Sequence, residues 1–123
     1  MTKTILVIDD NDDIRRLLQM MLQVEGYQVL DADTMDKGLR IIHDTNIDIV
    51  ITDLLMPDKD GLELITELRR DFPDKKIIAI SAGGRIGPST YLDMAKKLGA
   101  ARVFSKPFDQ KEIVQAVEEL LTS

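Results

Sequence analysis

The sequence lacks cysteine and tryptophan, and only 4% of its residues are aromatic. Without cysteine it forms no disulfide and no thiolate metal site, and the redox state of its compartment is left open. No apolar run approaches the ~20 residues that a membrane-spanning helix needs. The N-terminus leads directly into an apolar segment at Thr4, without the pattern of a signal peptide. We therefore expect a cytoplasmic protein with no membrane partner.

Basic residues are outnumbered, and the formal net charge at pH 7 is −6. Sequence-independent binding to nucleic acid needs a basic surface, and no basic recognition helix is visible, so we expect no direct nucleic-acid contact. A chain of 123 residues can bury the core of one domain. No linker-like stretch divides it, and we predict a single domain over residues 1–123.

Short apolar segments alternate with amphipathic helical segments along the whole chain. The predicted strands are 4–8, 28–30, 47–52, 76–80 and 102–104. The first, third and fourth are typical of strands covered on both faces, and the other two fit the sheet edges. This repetition predicts an α/β fold with a doubly wound, five-stranded parallel sheet. The flavodoxin-like order 2-1-3-4-5 is the commonest arrangement and places a crevice between strands 1 and 3.

Helical periodicity assigns the remaining side chains to a core face or a solvent face. On the first helix, Arg15 and Arg16 fall outside the apolar stripe, so we expect both on a solvated face. Met20, Met21 and Met94 are expected to fill the core. The single histidine, His43, is expected at the surface of the second helix.

Polar side chains follow the strands at the edge where the carboxyl ends of a parallel sheet meet. In strand order they are Asp9 and Asp10, then Asp53, Ser81 and Lys106. Crowded carboxylates repel one another unless a cation is present, and an all-oxygen cluster suits Mg²⁺. A carboxylate in such a site can attack a phosphoryl group. Taken singly, each residue also fits a helix cap, a turn or a solvated loop; only their joint placement favours a site.

Four motifs resemble those of response-regulator receiver domains across essentially the whole chain, in the same order. They are 5–10 (ILVIDD), 53–57 (DLLMP) with Gly61, Ser81-Ala82, and 106–108 (KPF). The resemblance implies a domain that is phosphorylated on Asp53 by a histidine kinase or phosphotransfer protein in a Mg²⁺-dependent reaction. It further implies signalling through contacts with a downstream protein, and catalysis of nothing beyond its own phosphorylation and dephosphorylation.

The resemblance also implies a role for each site residue. Asp10, Asp53 and the backbone carbonyl of Leu55 would hold Mg²⁺, with Asp9 acting mainly through water. Ser81 and Lys106 would contact the phosphoryl group, and the Lys106–Pro107 peptide would be cis. Because the last predicted helix runs to the end of the sequence, we expect a stand-alone domain. A phosphorylation-dependent homodimer is a further expectation, and the face formed by the fourth helix, fifth strand and fifth helix is a candidate output surface.

The sequence departs from the receiver pattern at two places. An aromatic residue normally stands three positions before the lysine, but here the residue is Val103, and Phe104 lies on the opposite side of the strand. The segment after the fourth strand, residues 83–88, is unusually rich in glycine. Glycine allows several backbone conformations, so the simplest interpretation is a flexible loop. The functional hypothesis is that reordering of this segment replaces aromatic rotation in the switch.

Two other functions stay open on the residues alone. An aspartyl-phosphate phosphohydrolase would carry a second aspartate two positions after its nucleophile, where this chain has Leu55. A phosphate-independent interaction module would not need all five polar site residues. Both alternatives are therefore weaker than the receiver interpretation.

Overall fold

Strands and helices alternate through the part of the chain that the computed structural model describes, residues 2–81 and 88–122. In chain order they are β1 (Thr4–Ile8), α1 (Asp12–Val24), β2 (Gln28–Ala32), α2 (Met35–Asp44), β3 (Ile49–Asp53), α3 (Gly61–Asp71), β4 (Lys76–Ser81), α4 (Pro88–Leu98), β5 (Arg102–Ser105) and α5 (Gln110–Thr122). Every predicted strand is confirmed, with boundaries moved by no more than two residues.

The five strands form one parallel sheet in the order β2-β1-β3-β4-β5, as predicted. β1 and β3 are neighbours, with Ile5 opposite Ile49 and Ile8 opposite Thr52. Both strands are buried at every position, whereas the edge strands β2 and β5 are partly exposed. The carboxyl ends of β1 and β3 are therefore held side by side at the centre of the sheet.

Two hydrophobic clusters cover the two faces of the sheet. Leu6 and Ile8 of β1 point into the cluster beneath α2, α3 and α4, while Ile5 and Val7 point into the cluster beneath α1 and α5. This alternation explains why β1 is a continuous apolar run, since both of its faces are covered. Burial of each such side chain contributes about 1.5–3 kcal/mol.

The start of β3 lies two residues later than predicted, because Asp48 belongs to a bend before the strand. The Thr4 backbone amide donates a 2.9 Å hydrogen bond to Oδ2 of Asp48. The Asp48 amide in turn donates to the Thr4 carbonyl at 2.9 Å. This reciprocal pair joins the amino ends of β1 and β3, and β3 proper begins at Ile49.

The structure corrects several predicted side-chain positions. Met20 is 61% exposed and Met94 is 47% exposed, so neither fills the core, whereas Met21 is partly buried and packs against the cluster beneath α1 and α5. His43 is at the surface as predicted, with its ring edge-to-face against Phe72 at a centroid distance of 5.0 Å. No helix in residues 2–81 and 88–122 is both long enough and apolar enough to cross a membrane. Residues 83–87 of the glycine-rich segment lie outside the described residues, so its reordering stays a hypothesis.

Candidate functional site

Three carboxylates meet where β1 and β3 end. Asp9, Asp10 and Asp53 each offer an oxygen within 4.8 Å of the other two. Asp9 and Asp53 are only 2% and 5% exposed, while Asp10 is open to solvent. The convergence predicted from the strand ends is therefore confirmed for the acidic residues. The cluster has two buried members and one accessible one.

Lys106 supplies the positive charge in this cluster. Its Nζ donates to Oδ2 of Asp9 at 2.8 Å and to Oδ2 of Asp53 at 3.0 Å. Its backbone amide donates to the Ser81 carbonyl at 2.9 Å, which joins the ends of β4 and β5. The peptide between Lys106 and Pro107 is cis, as expected. Lys106 thus lies directly against the carboxylates, as predicted.

The other oxygen of each buried carboxylate accepts a backbone hydrogen bond. Oδ1 of Asp9 accepts from the Asn11 amide at 2.9 Å, and Oδ1 of Asp53 accepts from the Leu55 amide at 3.0 Å. Each carboxylate is therefore oriented by its own loop on one side and by Lys106 on the other. These hydrogen bonds fix the directions in which the oxygens of Asp9 and Asp53 point.

The protonation of the site reflects burial as much as charge. Burial raises the pKa of Asp53, and the nearby Asp9 carboxylate adds to this, against the opposing effects of the Leu55 amide and Lys106. Burial alone would lower the pKa of Lys106, but its bonds to Asp9 and Asp53 outweigh this effect and raise it. Ionisation of Asp53 is therefore less favourable in this site than in water, whereas Lys106 stays protonated.

Ser81 is fully buried at the last position of β4, the strand next to β3. Leu55 is 40% exposed and forms an isolated bridge with Asp60, which closes the loop between β3 and α3. Both residues lie at the carboxyl edge, as the sequence predicted. Their contacts with a ligand remain predictions.

Gly61 in the motif has a steric explanation. A Cβ atom at this position would lie 2.4 Å from the Leu54 Cα and 2.6 Å from its carbonyl oxygen. The Gly61 amide also donates to the Leu54 carbonyl at 3.2 Å. Only glycine permits this approach, so α3 begins directly against the residue that follows Asp53.

The departure on β5 is also visible in the packing. Val103 packs against the cluster beneath α2, α3 and α4, whereas Phe104 packs against the cluster beneath α1 and α5. The expectation that Phe104 lies on the opposite face is confirmed.

Sequence reasoning missed two residues near the site. Arg15 was expected in solvent, but its side chain is 14% exposed and bonds to the end of β1, so that prediction was wrong. Asp58 accepts hydrogen bonds from the amides of Met35 and Asp36 and so caps α2 from the loop after β3. Neither contact follows from a local pattern. Arg15 folds back to a carbonyl six residues earlier and to Asp31 on β2, and Asp58 bonds to a helix more than 20 residues away.

The donor set at this edge fits a hard divalent cation. Carboxylate oxygens are the ligands that Mg²⁺ prefers, and it takes one or two of them together with waters. The exposed position of Asp10 leaves one side of the cluster accessible to such an ion and its waters.

A family model described as the response regulator receiver domain matches residues 5–118. The chain belongs to this family. Receiver domains are the signalling modules of two-component systems, so the resemblance drawn from the motifs is confirmed, together with the fold.

Individual relatives support the assignment. This receiver domain is 33% identical over 121 residues to sporulation initiation phosphotransferase F of Bacillus subtilis (strain 168), covering 98% of this chain and 95% of that protein. It is 38% identical over 120 residues to the DNA-binding transcriptional regulator NtrC of Azospirillum brasilense, covering 98% of this chain and 24% of that protein.

A solved receiver domain from Clostridium thermocellum superposes with a TM-score of 0.89 at 30% identity, covering 98% of this chain and 94% of that chain. Several of the curated relatives are much longer proteins, and the receiver domain spans about a quarter of their length.

Proposed function

We propose that this receiver domain accepts a phosphoryl group on Asp53 and passes the signal on through protein contacts. The observation that supports it most strongly is the pair of hydrogen bonds from Lys106 to Asp9 and Asp53, beside the accessible carboxylate of Asp10. Three carboxylates and a partly buried ammonium meet at one strand edge. They fit phosphoryl transfer, which needs positioning and charge neutralisation.

Asp10, Asp53 and the Leu55 carbonyl would hold Mg²⁺, with Asp9 acting mainly through water. When bound, the ion supplies positive charge to the oxygens of the phosphoryl group. The closeness of the Asp9, Asp10 and Asp53 oxygens, within 4.8 Å of one another, and the exposed position of Asp10 support this assignment. The Leu55 carbonyl belongs to the same short loop whose amide already orients Asp53.

The transfer would proceed by attack of a carboxylate oxygen of Asp53 on phosphorus. A new O–P bond forms, the P–N bond of a donor phosphohistidine breaks, and its electron pair returns to the imidazole. Lys106 would shift from its two carboxylates to the phosphoryl oxygens, and the Ser81 hydroxyl would donate to one of them. The domain would thereby catalyse its own phosphorylation and dephosphorylation, and no reaction on a free substrate.

The partners follow from family membership and from surface charge. We propose a histidine kinase or phosphotransfer protein as phosphodonor and a downstream protein as target, met at the α4–β5–α5 face. The net charge of −6 argues against direct nucleic-acid binding by this domain. DNA binding belongs to a relative of which this chain matches a quarter. A homodimer on phosphorylation, a cytoplasmic location and a single domain over residues 1–123 stay predictions.

Intact mass after incubation with acetyl phosphate and Mg²⁺ tests the proposal. We expect one phosphoryl adduct, lost in Asp53→Asn and in EDTA. Asp48→Asn is the matched control, because Asp48 flanks the other end of β3, and it should leave the adduct unchanged. No adduct on the wild type, followed by failure to bind beryllofluoride, would favour the phosphate-independent module instead.

A further inference from the structure

The side chain of Arg15 reaches from α1 to the ends of two strands. Its Nη1 donates to the Asp9 carbonyl at 2.7 Å, and its Nε donates to Oδ2 of Asp31, just before the end of β2, at 3.0 Å. A third bond runs from Nη2 to Asp12 in the first turn of α1. One guanidinium thus joins β1, β2 and α1 beside the acidic cluster.

The carbonyl that Arg15 holds belongs to the peptide that joins Asp9 to Asp10. The backbone amide of Asp9 donates to the Ala32 carbonyl at 3.2 Å. The Asp9 carboxylate is fixed as well, by the Asn11 amide and by Lys106. The bond from Arg15 adds to these contacts because it fixes the plane of the Asp9–Asp10 peptide. The exposed Asp10 side chain extends from this peptide.

The planar fork of arginine suits this position. A guanidinium presents five donors in fixed directions, whereas an ammonium is a compact point charge on a flexible stem. Reaching a backbone carbonyl and two carboxylates at once requires donors that diverge in one plane. Arg16, the next residue, is a natural contrast: its side chain is 71% exposed and lies 3.9 Å from Asp13.

We propose that Arg15 is a positioning residue for the Mg²⁺ site, which it serves by fixing the direction in which Asp10 leaves the end of β1. This role rests on the proposed function, since it concerns the ion that Asp10 and Asp53 would share. Arg15 touches neither the ion nor the phosphoryl group. It acts through the backbone of Asp9.

Charge and geometry make opposite predictions for the loss of Arg15. If the residue were only a counter-charge to the acidic cluster, its removal would strengthen the attraction of a divalent cation. If it positions Asp10, removal weakens binding, because outer-shell partners of metal ligands typically contribute 10–100-fold to metal affinity. The sign of the change therefore decides between the two roles.

Calorimetric titration of Mg²⁺ into the wild type, Arg15→Gln, Arg15→Lys and Arg16→Gln provides the test. We expect Arg15→Gln to raise the dissociation constant about tenfold. Arg15→Lys keeps the charge but not the fork, and should fall between this variant and the wild type. Arg16→Gln removes the same charge from the neighbouring exposed position and should match the wild type.

A metal-free readout separates positioning from general damage. In amide NMR spectra without Mg²⁺, Arg15→Gln should shift Asp10 and Asn11 while resonances of β4 and α5 stay in place. An affinity equal to or tighter than that of the wild type would overturn the role, as would unchanged Asp10 and Asn11 amides. If Arg15→Gln does not fold, Arg15→Lys decides by the same criteria.

The wild type distinguishes failure of this role from failure of the proposed function. A wild type that binds no Mg²⁺ would overturn both. Normal binding by the wild type and by Arg15→Gln would overturn the role of Arg15 alone.

Discussion

The two ends of β3 each carry an aspartate, and their surroundings differ sharply. Asp48, before the strand, accepts one backbone hydrogen bond from Thr4 and returns another. Asp53, at the other end, is buried beside the Asp9 carboxylate and shares Lys106 with it. Asp48 joins two strands, whereas burial, and to a smaller extent the Asp9 carboxylate, raises the pKa of Asp53. The two residues are of the same type. Burial and the neighbouring Asp9 and Lys106 distinguish the candidate site residue Asp53 from the structural residue Asp48.

Replacement of Lys106 should have the largest effect on this contrast. In Lys106→Gln the two buried carboxylates lose their shared cation, and the phosphoryl oxygens lose a positive partner. We expect the rate of phosphorylation by acetyl phosphate to fall about 100-fold, as for the loss of one donor to a developing oxyanion. The rate is measured by intact mass against time. Lys111→Gln, on the exposed first turn of α5, is the control; equal rates in both variants would contradict the role of Lys106.

Neutralising the two aspartates should change stability in opposite directions. Asp48→Ala removes the hydrogen bond to Thr4 and should lower the free energy of unfolding by about 1 kcal/mol. Asp53→Asn should raise the melting temperature of the metal-free protein by a few degrees, because the folded environment favours the uncharged form. Urea and thermal unfolding in EDTA measure both. A loss of stability in both variants would remove the distinction between the two ends of β3.

The pH dependence of that gain is a smaller and more specific effect. The folded pKa of Asp53 is raised above its ordinary value of 3.8, so between these two values the native state holds more protons than the unfolded chain. Stability of the metal-free wild type then falls as pH rises through this window. Asp53→Asn and wild type should be equally stable below the window, and the advantage of the variant should grow through it and level off above. An advantage that shrinks with rising pH would show that burial does not dominate at Asp53.

Much of this architecture could be predicted from the sequence because its causes are local. Continuous apolar runs identify β1 and β3, and in a parallel sheet their last residues must share an edge, which places Asp9 and Asp53 together. Arg15 could not be placed in this way. Helical periodicity places it outside the apolar stripe of α1 and so predicted a solvated side chain, whereas the ends of two strands lie within its reach.

The capping of α2 by Asp58 escaped prediction for a related reason. The local cap, Thr34, has a recognisable pattern and bonds to the Lys37 amide at 3.1 Å. Asp58 bonds to the same helix from 23 residues away, at 3.1 Å from the Met35 amide. Contacts of this kind depend on how the loops pack, which neither periodicity nor residue type encodes.

The close approach at Gly61 has a mechanical consequence. Side chains between two elements yield when one element moves, because their rotamers can adjust, but at this contact backbone meets backbone at the Leu54 carbonyl. The first turn of α3 and the end of β3 therefore form one stiff body. We therefore expect a displacement at Asp53 to move the start of α3 as well. A methyl group at Gly61 would push the first turn of α3 away from the end of β3.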